Sequence, residues 1–303
     1  MIETPKLSIV TPTFNNVALL ERCLDSWECF APDAPIELIV VEDGCRDSTA
    51  AYLEARARTP WGRAHLRPIH ENNVHELRAT NRGLAEARAP LAMTWHDDMF
   101  LRCDWLVPEL LATFDRYTDL GLLCLSRGLV CHHLDQPITT WEELIDFRRL
   151  ESTIGSRPLN WFRLTEVDAV IRPWVVRKAC LDRVGALDEA FVPTGWDEAD
   201  LAFRIRQAGW HVATHGYERD GAFVHLGSST FAKFALNLEQ DLRNGQLFHQ
   251  RWDDAVRRDG NRQRRTWVRR TPVGGWISTL KQVGNFTLPW RRRAILDGEL
   301  VKQ

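Results

Sequence analysis

Two acidic groupings and two histidines carry the residue types that could do chemistry. The first is "MTWHDDMF" at 93–100, where an apolar run gives way to His96, Asp97 and Asp98. Adjacent ionised carboxylates repel, so two side by side call for water, a cation or a hydrogen-bond net. A solvated turn meets that need, and so does a hard divalent ion, which prefers oxygen ligands and often binds through one or two carboxylates plus phosphates. The second is "GWDEADL", where Asp197 and Asp200 are three apart and so share one face of a helix. Glu198 lies one position round, in a first turn whose dipole favours anions. Helix capping with an Asp200–Arg204 ion pair is one reading. A general base beside a substrate hydroxyl is the other. His225 ends the apolar run "AFVH", and neutral imidazole is a common metal ligand if that strand reaches the acids.

These residues need elements to hold them. Residues 7–13 (LSIVTPT) and 36–41 (IELIVV) are short apolar runs that predict buried strands. Val17, Leu20, Leu24 and Trp27 recur at helical spacing up to Pro32, with Asn15-Asn16 as a helix start. A helix at about 48–58, a strand near 65–70, a helix at about 75–88 and a strand at 91–95 follow. Strand and helix thus alternate four times in about 100 residues, which predicts a parallel α/β sheet. Ligands in such sheets sit beyond the carboxyl ends of the strands. Thr11-Pro12-Thr13, Glu42-Asp43-Gly44 and His96-Asp97-Asp98 all fall at such ends. Asn72, Asn73, Arg78, Asn81 and Arg82 make a polar band along the 75–88 helix, a solvated face on the sequence alone. Further on, the pattern predicts a helix at 105–117, strands at 120–125 and 166–172, helices at 177–184 and 197–208, and within 222–230 a strand ending in His225 and then a polar turn.

The composition bounds the rest. The 303 residues, 44% hydrophobic and 26% charged, suffice for an ordinary globular protein with a sizeable core. Net charge is −2, but it is unevenly spread. Residues 1–250 hold 26 Lys and Arg against 36 Asp and Glu, and residues 251–303 hold 13 against 5. The chain therefore reads as an acidic body, 1–250, with a basic Arg- and Trp-rich extension, 251–303. That extension could dock on anionic lipid headgroups, nucleic acid or a partner chain. Seven cysteines, an odd number with no CxxC pair, fit free thiols in a reducing cytosol. No leader-like segment and no run of roughly 18–20 apolar residues is evident, so a cytoplasmic protein is expected, with peripheral contact at the inner face of the cell membrane as an option.

Taken in order, the motifs resemble those of family 2 glycosyltransferases of the GT-A fold. "LSIVTPTFNN" is similar to their opening VSVIIPTYN, "ELIVVEDGCRDST" to EIIVVDDGSTDGT, and "ATNRGLAEA" to ARNxGixxA. "WHDDM" resembles the segment carrying the metal-binding DxD. "RVGALDEAF", "WDEADLAFRIRQAGW" and "FVHLGSST" resemble the xxGxFDExF stretch, the EDxDLxxRxxxxGy helix and the vxHxxxsS close. The resemblance spans about 6–230. It implies a nucleotide-sugar-binding half at about 1–125, an acceptor half at 126–250, and inverting transfer from a nucleoside-diphosphate sugar, most often UDP-linked. It implies that Thr11, Pro12 and Asp43, with Thr13, Glu42 and Asn72 beside them, hold the nucleotide, with Asp97 facing ribose or solvent. Asp98 matches the last Asp of DxD, His96 stands at its first position, and His225 matches a His that completes the coordination of Mn²⁺ or Mg²⁺. Glu198 or Asp197 would be the base, the usual Glu-Asp order being reversed here. Thr80 replaces the motif's Arg, and Arg78 could supply that phosphate contact. Trp161, Trp196 and Asp200 would face a saccharide or lipid-linked saccharide acceptor in cell-surface polysaccharide or glycoconjugate synthesis. Two rival readings are a non-catalytic protein that binds nucleotide sugars on the same fold and a sugar-nucleotide nucleotidyltransferase. The latter needs a Gly-rich loop after the first strand, where this chain has TPTFNN.

Overall fold

The computed structural model describes residues 4–131, 163–227, 238–259 and 262–268. The expected alternation forms the first half: β1 (Leu7–Thr13), α1 (Val17–Phe30), β2 (Ile36–Asp43), α2 (Thr49–Ala57), α3 (Pro60–His65), β3 (Leu66–Glu71), α4 (Glu76–Glu86) and β4 (Leu91–Thr94). β2 pairs with β1 and β3, and β1 with β4, all in parallel. The chain thus steps outward from β1 through β2 to β3, then returns to the other side of β1. That reversal opens a crevice at the carboxyl ends of β1 and β4, where an open α/β sheet binds ligands.

Period-two alternation explains why helices cover both faces. Leu7, Ile9, Leu38 and Val40 pack with Leu20, Leu24 and Trp27 of α1 in one buried cluster. Val10, Ile39 and Val41 pack with Leu77 and Leu84 of α4 in the other. Each such side chain contributes about 1.5–3 kcal/mol on burial. The second contact is close because Gly83 has no side chain: a Cβ there would lie 2.3 Å from Val10 Cγ1 and 3.2 Å from Val41 Cγ2.

The second half adds β5 (Met99–Leu101), α5 (Leu106–Arg116), β6 (Leu120–Cys124), β7 (Arg163–Glu166), β8 (Trp174–Arg177), α6 (Lys178–Val184), α7 (Asp197–Gln207), β9 (His211–Thr214), β10 (Phe223–His225), α8 (Leu238–Asp259) and β11 (Thr266–Val268). Nine strands form one sheet in the order β11-β7-β9-β6-β8-β4-β1-β2-β3, and β5 and β10 form a separate antiparallel ribbon. Among the described residues no helix is long and apolar enough to cross a membrane.

Three expectations shift. The strand expected over 166–172 is divided: β7 ends at Glu166 and β8 begins at Trp174. Between them Asp168 and Arg172 are buried polar groups that a regular ladder would turn to one face, whereas Asp168 meets Cys131 N and Arg264 and Arg172 meets Glu76 and Asp197. α3 follows α2 after a short break, started by Pro60 and capped by Thr59, whose side chain accepts from Gly62 N. α8 runs through position 250, and β11 then pairs antiparallel with β7. Part of the basic extension is therefore held within the chain. Arg264 donates to both oxygens of Asp168 at 2.9 and 2.6 Å, and Arg265 Nη1 to Asp119 at 2.5 Å. Arg262 lies 3.4 Å from Glu166.

Gly83→Ala is expected to lower unfolding stability by about 1–3 kcal/mol, the range for forcing a methyl into a packed core. Urea unfolding measures it, and an unchanged midpoint would contradict the close contact of α4 with the sheet.

Candidate active site

The turn after β4 is fixed by an apolar plug. Trp95 is fully buried, with its ring edge-on to Trp27 and Phe223 at 5.1 and 5.0 Å between centroids. Its indole N–H donates to Met99 O at 3.0 Å, and its backbone N–H extends the β1 pairing to Val10 O. His96, Asp97 and Asp98 must therefore turn at the sheet edge. The β5–β10 ribbon sets His225 opposite Met99, and Leu226 N donates to Asp98 O at 3.1 Å. One ligand atom from each of His96, Asp98 and His225 falls within 4.8 Å of the others. His225 Nε2 lies 3.4 Å from Asp98 Oδ1, and the two imidazoles meet edge-on at 5.6 Å. Two imidazoles and a buried carboxylate form a mixed nitrogen and oxygen donor set that suits a first-row divalent ion. The residues present therefore fit a metal.

Asp97 faces the other way. Its Oδ2 accepts from Thr13 Oγ1 at 2.7 Å and its Oδ1 from Asn16 Nδ2 at 3.0 Å, which ties the turn to β1 and the start of α1. Burial, reinforced by the Asp98 charge and opposed by these donors, pushes it up to about 6. Thr11 Oγ1 is buried beside it in β1 with no hydrogen-bond partner among the described residues.

The remaining residues expected at a nucleotide have varied surroundings. Asp43 accepts from Val74 N at 2.6 Å and His75 N at 2.9 Å, so both its oxygens hold the β3–α4 loop. Gly44 permits that approach: its φ is +70° and a Cβ would lie 2.9 Å from Asn73 N. Glu42 meets His70 Nδ1 at 2.9 Å and the Cys45 N–H. Burial raises its proton affinity, but these partners outweigh burial and hold it below the usual carboxylate range. Pro12 is half-buried and Asn72 exposed. Arg78 is exposed and donates to Glu189 at 2.9 Å, so its guanidinium already has a carboxylate.

The second acidic grouping opens α7. Trp196 caps it in the left-handed region, φ 68°, after Gly195 at φ 95°. That tight turn lets Asp197 Oδ1 accept from Gly195 N at 2.8 Å. Asp197 Oδ2 accepts from Arg172 Nη2 at 3.0 Å, and Arg172 Nε lies 2.6 Å from Glu198 Oε1. Arg172 Nη1 reaches Glu76, whose Oε1 is 3.4 Å from His96 Nε2. One polar network thus runs from the histidine–aspartate cluster to the start of α7. Burial pushes Glu198 up to about 7 although Arg172 pulls it down. Glu198 and Trp196 line a cavity of about 240 Å³ with Arg127, Leu129, Cys131, Ala169 and Ile171. Trp196 also packs on Phe248 and His249 of α8. Asp200 is fully buried, and Arg204, Trp252 Nε1 and Arg251 reach its carboxylate at 2.7, 2.9 and 3.2 Å. The Arg204 pair is the one read from the sequence, and Arg251 and Trp252 tie α7 to α8. Trp161 lies outside the described residues.

Sequence reasoning missed Arg172 and Glu76. Both had a signal. Arg172 is the one charge in "AVIRPW", and a cation inside an apolar stretch needs buried anions. Glu76 opens the helix whose polar band was read as solvated.

The comparisons agree with this geometry. Residues 8–155 match the sequence profile of Glycosyl transferase family 2. No curated protein sequence matches the chain. A solved structure of S. aureus TarS 1-349 aligns at 16% identity and TM-score 0.50, over 94% of this chain and 82% of that one. A longer S. aureus TarS structure aligns at 14% identity and TM-score 0.49, over 84% of this chain and 45% of that one. This chain spans less than half of the longer TarS, and at 16% identity the likeness to TarS 1-349 concerns the fold. A GT-A-type sheet, an HDD turn at its switch point and the profile match lead to one conclusion: residues 8–155 are similar to glycosyl transferase family 2.

Proposed function

We propose that the protein transfers a sugar from a UDP-sugar to an acceptor hydroxyl with inversion at the anomeric carbon. The observation that carries the reading is the juxtaposition of His96, Asp98 and His225 with Glu198 through one polar network. Donor contacts would come from the 1–125 half, at Thr11, Thr13 and Asp97. The acceptor would enter the 126–250 half, at the cavity lined by Glu198 and Trp196.

When bound at His96, Asp98 and His225, Mn²⁺ or Mg²⁺ supplies positive charge beside the departing diphosphate. Glu198 takes the acceptor proton as the oxygen bonds to the anomeric carbon. The bond from that carbon to the diphosphate oxygen breaks, and the nucleoside diphosphate leaves with the electron pair. One displacement from the opposite face inverts the centre. Glu198 is a better base than Asp197 on two grounds. Asp197 is closed off, its side chain 1% exposed and held by Gly195 N–H and Arg172. Glu198 keeps 16% exposure and a proton affinity matched to neutral pH. A saccharide or lipid-linked saccharide is the acceptor class, with the aromatic face of Trp196 as one wall. Of the basic extension, Arg262, Arg264 and Arg265 already pair with carboxylates of the fold.

Glu198→Gln is expected to abolish transfer while UDP still binds, and wild-type turnover is expected to rise with pH through about 7. Unchanged turnover in the variant would move the base to Asp197. The same residue shapes stability. Its raised pKa in the fold gives stability that is full below the unfolded Glu value of about 4.3 and lost as pH rises through about 7. Glu198→Gln should therefore gain roughly 3–4 kcal/mol relative to wild type at pH 8 and almost nothing at pH 4. Denaturant melts at the two pH values measure this, and an equal difference at both would contradict the buried charge.

A further inference from the structure

We propose that Arg172 is the positioning residue that holds Glu198 in place for proton removal and, through Glu76, links it to His96 on the metal side. The proposal rests on the transferase reading above.

The Arg172 side chain is 5% exposed, in the loop between β7 and β8. A buried guanidinium is tolerable only when anions surround it. Here three carboxylates do so: Glu76 and Asp197 accept hydrogen bonds from Nη1 and Nη2, and Glu198 forms an ion pair at Nε that lacks hydrogen-bond geometry. A planar, rigid fork fixes where its partners sit relative to one another, which a flexible ammonium cannot do. Asp197 is itself pinned to the backbone at Gly195, so the fork is anchored on that side. Of the two carboxylates that open α7, Glu198 keeps the greater exposure and lines the 240 Å³ cavity. Arg172 thus orients the group that meets the acceptor without meeting it itself. On the far side, Glu76 stands behind His96 at 3.4 Å, and a carboxylate behind a ligating imidazole fixes its ring and raises its basicity.

The arrangement separates orientation from donor binding. The residues expected at the nucleotide, Thr11, Thr13 and Asp97, make none of their described contacts with Arg172. Arg172→Lys keeps the charge and loses the fork. Steady-state hydrolysis of UDP-glucose and UDP-N-acetylglucosamine with Mn²⁺, water serving as acceptor, should show kcat about 100-fold lower in the variant. KM for the donor and the calorimetric Kd of UDP should stay within about threefold, because only orientation changes. Glu76→Gln, which keeps the shape, should weaken Mn²⁺ binding about tenfold by calorimetry. It stands as the second reading should Arg172→Lys fail to fold. A folded Arg172→Lys with wild-type kcat, or Mn²⁺ affinity unchanged in Glu76→Gln, overturns the inference. A wild-type protein that hydrolyses neither donor counts instead against the transferase reading and removes the basis of this one.

Discussion

Charge held out of water is the constraint around which this molecule is arranged. Asp97, Asp98, Arg172 and Asp197 are each no more than 7% exposed, and Glu198 and His96 lie beside them. Such groups are stable only when paired, since an isolated buried charge costs several kcal/mol. The plug of Trp95, the β5–β10 ribbon and the left-handed turn at Trp196 can each be understood as a means of bringing partners together. Remove the ribbon, and Asp98 loses His225. Remove the turn, and Asp197 loses the Gly195 N–H. The cost of assembling these charges falls on the core beneath, where α1 and α4 seal both faces of β1 and β2.

The same constraint explains how far the sequence could be read. Patterns that depend on neighbours along the chain were legible: the apolar runs of β1 and β2, the spacing of Leu20, Leu24 and Trp27, and the position of His96–Asp98 at a strand end. Partnerships across the chain were not. Asp43 has the residue type of a ligand contact, yet its two oxygens hold the loop at Val74 and His75. Nothing local to Asp43 announces that loop. Arg172 hides in "VDAVIRP", whose alternation reads as a strand, because its carboxylates come from α4 and α7. Asp200 was correctly seen to face Arg204, but Arg251 and Trp252 of α8 are distant in sequence.

The uneven charge of the chain also acquires a physical meaning. The acidic body is acidic partly because its buried and half-buried carboxylates at Asp119, Glu166 and Asp168 receive arginines from the extension. β11 then completes the sheet edge next to β7. Asp168 also accepts from Cys131 N at 3.0 Å, so the extension braces the wall of the cavity that holds Glu198. A linear count of charge shows the asymmetry, and only the fold shows that much of it is internal complementarity.

The central claim is that the histidine–aspartate turn serves a nucleotide through a metal. Calorimetric titration of UDP with and without Mn²⁺, on the wild type and on Asp98→Ala, tests it most directly. UDP binding should require Mn²⁺ and disappear in Asp98→Ala. UDP binding of equal strength without metal, or undiminished in Asp98→Ala, would contradict it.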